Sequence, residues 1–205
     1  MTSKRLIAGT AAFLLWTLPA CGVKRANAMP RPDDGPGTGA APAAAGNVDL
    51  PRYPSVSPDG RTVVFSWRGD LWRVPAGGGA AERLTANPAD EGRSAFTPDG
   101  AAIVFESDRD GWRNLWVMNV DGTGVRQLTA LDTPVTLGGV GPDGSGGVVV
   151  TFDAARENDL FRSARAYQVP LGGGAPRRVH DAFGTHAVPL PDGSGVMSHR
   201  AWRVS

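Results

Sequence analysis

One short turn sequence, Pro-Asp-Gly, stands at four places in the chain: Pro58-Asp59-Gly60, Pro98-Asp99-Gly100, Pro142-Asp143-Gly144 and Pro191-Asp192-Gly193. The intervals between copies are 40, 44 and 49 residues, and a recurrence at that period marks repetition of one supersecondary unit. Proline presets φ, while aspartate and glycine suit the tight turn, so each copy predicts a hairpin. A short strand-like segment precedes the turn, as in residues 53–57 and 94–97. A β-branched apolar segment follows it: Thr62-Val63-Val64-Phe65, Ala102-Ile103-Val104-Phe105, and Val148 through Phe152.

Further along each unit an aromatic residue returns at a fixed place, in residues 70–75, 114–119 and 166–170, and predicts a third strand. Gly-rich turns then lead to Glu82-Arg83-Leu84-Thr85, Arg126-Gln127-Leu128-Thr129 and Arg177-Arg178-Val179-His180, each expected to be a fourth strand. Four strands per unit at this period are the pattern of a propeller blade. A lone four-stranded sheet leaves two apolar faces in water and gains stability only by stacking on its neighbours. The expected fold is therefore all-β, a partial β-propeller of four-stranded antiparallel blades. Blades are placed at about 50–88, 89–132 and 133–182, with part of a fourth at 183–205. Closed rings use about four to eight blades, so residues 48–205 are expected to form an incomplete propeller, a fragment of a longer ring. Trp67, Trp72, Trp112 and Trp116 are expected to pack between blades rather than to stack on a carbohydrate.

Composition agrees with many short strands. Gly (28) and Pro (17) are plentiful, and no long helical periodicity follows residue 50. With 21 Lys+Arg against 20 Asp+Glu the chain carries no basic footprint for nucleic acid. Residues 1–28 have the layout of an export signal, with Lys4 and Arg5 ahead of the uncharged stretch 6–20. That stretch is short for a membrane span. Leu18-Pro19-Ala20-Cys21 fits a lipobox ending at Cys21, the favoured site of lipidation, while Ala26-Asn27-Ala28 fits ordinary signal cleavage. Cys21 is the sole cysteine, which leaves no internal disulfide framework. Residues 29–47, rich in Pro, Gly and Ala, are expected to be a disordered linker, with the fold starting near Val48. Any membrane attachment is expected through a lipid anchor alone.

Arg52-Tyr53-Pro54-Ser55-Val56-Ser57-Pro58-Asp59-Gly60, together with residues 69–75 and Arg83-Leu84-Thr85, resembles the first propeller repeats of the tricorn-protease family. Residues 114–129, with their Met-Asn-x-Asp-Gly-Thr-Gly core, resemble the propeller of the TolB family of periplasmic proteins. The first resemblance implies an exported, non-catalytic module that guides peptide substrates toward a peptidase domain in missing C-terminal parts of the same polypeptide. The second implies a periplasmic propeller acting in protein–protein interaction at the cell envelope.

No catalytic residue is expected in this chain. A Ser-His-Asp site lacks a suitably placed serine, since Ser145 and Ser194 sit in Gly-rich hairpins and no Gly-x-Ser-x-Gly occurs. Gly139 to Gly144 spells a dinucleotide fingerprint, yet a strand follows where the pyrophosphate needs a helix N-terminus. Asp108-Arg109-Asp110-Gly111 opens like a calcium loop but lacks the later acidic ligand. Neither cofactor nor metal is expected. Binding residues are expected in the links between blades: Asn87, Asp90, Glu91 and Arg93 in the first, Asp132 in the second, Asp181 and His186 in the third. Peptides or envelope proteins are the partners these links would meet.

Overall fold

The computed structural model describes residues 48–155, 164–180 and 185–199, and every regular element among them is a strand. The first blade consists of β1 (Arg52–Val56), β2 (Thr62–Trp67), β3 (Asp70–Pro75) and β4 (Glu82–Arg83), hydrogen-bonded in that order. The second is built from β5 (Glu91–Phe96), β6 (Ala102–Ser107), β7 (Asn114–Asn119) and β8 (Arg126–Gln127). The third contains β9 (Val135–Pro142), β10 (Val148–Ala154), β11 (Arg165–Pro170) and β12 (Arg177–Arg178). A hairpin of β13 (Thr185–Pro189) and β14 (Val196–His199) begins a fourth. All pairings are antiparallel, as expected for blades.

The Pro-Asp-Gly copies form the hairpins predicted for them. Gly60, Gly100 and Gly193 stand at φ +71° and Gly144 at +77°, where a Cβ would be strained. Each aspartate fixes its turn from the side: the Asp59 carboxylate accepts from Ser57 Oγ and Arg61 N–H, and Asp99 does the same with Thr97 and Ala101.

The fourth strands are shorter than their sequences suggest, and in the first two blades a threonine explains why. Pairing stops after Arg83, and Thr85 Oγ1 accepts from Leu71 N–H at 2.8 Å. In the second blade Thr129 Oγ1 accepts from Leu115 N–H and donates to Asn114 Oδ1, each at 2.9 Å. A hydroxyl thus replaces the next rung of the ladder at the outer edge.

Strand alternation builds the core on both faces of the second blade. Ile103 and Phe105 of β6 turn toward the first blade and meet Val64, Leu71, Phe96 and Met118. Val104, between them, turns the other way and joins Leu115, Val135, Leu137, Val150 and Phe152. Radial stacking follows from that two-sided burial. Between the third and fourth blades the backbones approach closely: a Cβ on Gly138 would strike the Ala187 carbonyl oxygen. The run from Gly139 to Gly144 is thus strand and hairpin, not a phosphate cradle.

The tryptophans divide. Trp116 packs against the core between the first two blades, as expected. Trp67 and Trp72 meet edge to face at 5.2 Å within the first blade, and Trp67 Nε1 donates to the Asp49 carbonyl oxygen. Trp112 does not pack between blades; it sits on the turn before β7 and is 54 % exposed.

Candidate functional site at the axial end of the inner strands

The first strand of each blade lies innermost, and all four such strands carry one residue more than their partners. Between Arg52 and Ser55 β1 spans three steps while β2 spans two, from Ser66 to Val64. The same excess occurs between Glu91 and Ser94 in β5 and between Thr185 and Val188 in β13. In β9, Leu137 and Gly139 face consecutive residues of β10, which leaves Gly138 unpaired. A bulge re-aims a side chain and frees a backbone amide.

Tyr53, Arg93, Leu137 and His186 each precede their turn proline by five residues, one at each bulge. Tyr53 (φ +51°) and His186 (φ +56°) adopt the left-handed backbone rare for residues with side chains. The Arg93 guanidinium lies over the Tyr53 ring, 5.1 Å from its centre. Together with Pro54, Ser94, Leu137 and Gly138 these two residues line a cleft of about 210 Å³. At the opposite end of the inner strands is a cleft of about 410 Å³, lined by Val56, Pro98, Val140 and Pro189 among others, with no charged side chain on its walls among the described residues.

Two buried carboxylates hold three of the four bulges, those of β5, β9 and β13. Glu106 of β6 accepts from Leu137 N–H at 2.7 Å and from Arg93 N–H at 3.3 Å. Arg93 Nε and Arg113 Nη1 stand 4.0 and 3.9 Å from its oxygens. Burial pushes the Glu106 carboxyl above the ordinary glutamate value; the two amides and the two guanidinium groups oppose that shift without cancelling it. In the third blade Asp153, one residue beyond Phe152 as Glu106 is beyond Phe105, accepts from His186 N–H at 2.8 and 3.1 Å. The His186 ring Nδ1 lies 3.7 Å from the same carboxylate.

The residues expected to bind are dispersed. Asn87 closes a turn by accepting from Ala89 N–H, and Asp90, exposed, donates its amide to Asp108. Asp132 is exposed in the segment between β8 and β9, and Asp181 lies outside the described residues. Glu91 and Arg93 belong to strand β5 rather than to the link before it. Glu91 is buried, and its Oε1 accepts from Arg109 Nη2 at 2.6 Å and Ser107 Oγ at 3.2 Å. Arg93 and His186 are the two that reach bulge positions. Tyr53 and Glu106 were not foreseen, although Tyr53 shares its offset from the turn with Arg93, and Glu106 is a charge directly after an apolar run. Among the described residues no group of three or more His, Cys, Asp or Glu is placed to hold a metal ion.

Four-stranded antiparallel sheets stacked through both faces, with bulged inner strands side by side, define a β-propeller scaffold. The family comparison is specific: residues 48–204 match the tricorn protease N-terminal beta propeller domain, and the chain belongs to that family. An uncharacterized protein of Agrobacterium fabrum is 28% identical over 179 residues, which are 82% of this chain and 56% of that protein. A tricorn protease homolog of Streptomyces coelicolor is 33% identical over 138 residues, 65% of this chain but 12% of the homolog. The chain thus spans about half of the first relative and a small part of the second. A solved TolB-type structure from Agrobacterium tumefaciens superposes with a TM-score of 0.62 at 25% identity, covering 77% of this chain and 61% of that one.

Proposed function

We propose that this chain is the non-catalytic propeller module of an exported tricorn-type peptidase, and that it holds extended peptide segments at the axial end marked by Tyr53 and Arg93. The observation that carries the reading is the shared repeat position of Tyr53, Arg93, Leu137 and His186, one residue from each of four adjacent inner strands. Aromatic, cationic and apolar groups close together suit a peptide, whose backbone offers carbonyls to Arg93 and whose side chains can lie on Tyr53. Catalysis would belong to a domain elsewhere in the polypeptide. An array of unstructured decapeptides, probed with the purified chain, tests this. Peptides that bind should bind at least threefold more weakly to Arg93→Ala and Tyr53→Ala variants. Equal retention by both variants would remove the axial end from the reading.

The likeness to the Agrobacterium TolB-type structure favours a second reading, in which the same end docks a folded envelope protein. Crosslinking in intact cells from position 53 distinguishes the two, since it would capture one defined protein rather than a spread of peptides. Export, with lipidation at Cys21, is part of the proposal and rests on the N-terminal sequence. Mass analysis of the mature N-terminus decides it: a lipid-bearing Cys21 supports the anchor, and a terminus at Met29 supports ordinary cleavage.

A further inference from the structure

We propose that Glu106 is the positioning residue of the axial site, a single buried carboxylate that sets Arg93 in place and ties the second blade to the third at that end. The inference builds on Arg93 facing a ligand, but its geometry stands without one. The β5 bulge leaves Arg93 unpaired, and in β9 Leu137, beside the unpaired Gly138, turns its amide to a side chain rather than to a strand. A buried amide needs an acceptor, and both find it on Glu106, one on each oxygen. Two strands of different blades are thereby held to one side chain. Arg93 is gripped twice, by its backbone N–H and by the attraction of its guanidinium to the same carboxylate.

Space for the carboxylate is provided by the residue before Arg93. A Cβ on Gly92 would stand 2.5 Å from Glu106 Oε2, so any side chain there would push the carboxylate off the Arg93 amide. The arrangement recurs in the third blade, where Asp153 at the equivalent place takes the His186 amide. In the first blade the equivalent Ser66 donates its hydroxyl to the Glu91 carbonyl oxygen. The residue after the second-strand phenylalanine therefore reaches the inner strand of the next blade in all three cases. Only Glu106 is long enough to address two bulges at once.

Hydrogen exchange read at single amides, on the full chain without peptide, tests the assignment. Removing a charge-assisted bond is worth about tenfold or more in exchange rate. In Glu106→Ala, protection should fall by that factor at Arg93 and Leu137, while Val64 in the first blade keeps its rate. Glu106→Gln retains the reach but only one acceptor oxygen, so it should lose protection at one of the two amides. Gly92→Ala should lose it at Arg93. The Arg93 side-chain resonances, shifted by the Tyr53 ring, should move toward free-arginine values in Glu106→Ala and part of the way in Glu106→Gln. Unchanged exchange at both amides would overturn the proposal, and so would a uniform loss that includes Val64, because a general stabilising role predicts the latter. If the alanine variant fails to fold, the glutamine variant decides by the same criteria. Failure of the peptide array alone would remove the ligand and leave Glu106 as assigned.

Discussion

Phe105→Ala separates stacking between blades from stability within one. Phe105 is fully buried in β6 and lies in the cluster that joins Val64 and Leu71 of the first blade to Ile103 and Met118 of the second. Replacing a buried phenylalanine by alanine costs about 3–5 kcal/mol where the surroundings cannot collapse. Collapse is restricted here, because β6 is clamped between β5 and β7 and its opposite face is filled by Val104 in the next core cluster. The Arg109 guanidinium, 5.3 Å from the ring centre, also loses a partner, worth about 0.5–1 kcal/mol at a partly exposed site. Because the lost contacts lie between blades, Phe105→Ala and Leu71→Ala should be coupled, their joint effect departing from the sum by more than about 0.5 kcal/mol. Urea denaturation followed by circular dichroism measures all three variants. A cost below about 1 kcal/mol for Phe105→Ala, or strict additivity with Leu71→Ala, would refute the stacking of the first two blades through this side chain.

Thr129→Val keeps the volume of the side chain but removes the acceptor for Leu115 N–H and the donor to Asn114, so a loss of about 1–3 kcal/mol is expected in the same assay. Gly138→Ala should destabilise the contact with β13 and raise amide exchange at Val188, while amides of the first blade stay unchanged. Turn aspartates set the response to acid. Hydrogen bonds from Ser57, Thr97 and Thr123 lower the pKa values of Asp59, Asp99 and Asp121, and the Ser145 and Ser194 amides lower those of Asp143 and Asp192. A lowered value in the fold means stability that is full above the ordinary aspartate range and is lost as pH falls through the depressed values. Glu106 has the opposite sign, since its raised value favours the protonated fold, and its contribution is lost as pH rises from the ordinary glutamate value through the raised one. Urea midpoints measured across the acid range should therefore fall at the lowest pH in the parent, and Glu106→Gln should abolish only the change assigned to that residue.

Blades were legible in the sequence because their determinants are local. A Pro-Asp-Gly turn works within four or five residues, and the apolar segment after it needs only strand alternation to fill a core on each side. The fourth strands were overextended because Leu84-Thr85 and Leu128-Thr129 read as strand, whereas a threonine hydroxyl ends the ladder there. Glu91 and Arg93 read as part of a link, since polar residues follow Pro88. Their place in β5 depends on Arg109 and Glu106, which come later in the chain and neutralise or hold them within the fold. A bulge leaves no mark in composition, so no feature of a single strand reveals the residue it re-aims.

Comparison of the four repeats with one another does reveal it. Where the repeats agree, in the turn glycines, in Phe65, Phe105 and Phe152, and in Thr85 and Thr129, the residues close a turn, fill a core or end a ladder. Where they disagree in side-chain chemistry at one aligned place, as Tyr53, Arg93, Leu137 and His186 do, the backbone bulges, and three of the four side chains reach solvent. Stacking demands sameness at the positions that meet a neighbouring blade, and it places no such demand on a residue turned toward the axis. Leu137, buried, joins the core of the adjoining blades and gives the cleft its apolar wall. Where the side chain reaches solvent, as at Tyr53, Arg93 and His186, the varied position can therefore carry recognition without weakening the ring, and in β5, β9 and β13 the side chain after the second-strand phenylalanine holds the inner strand in place.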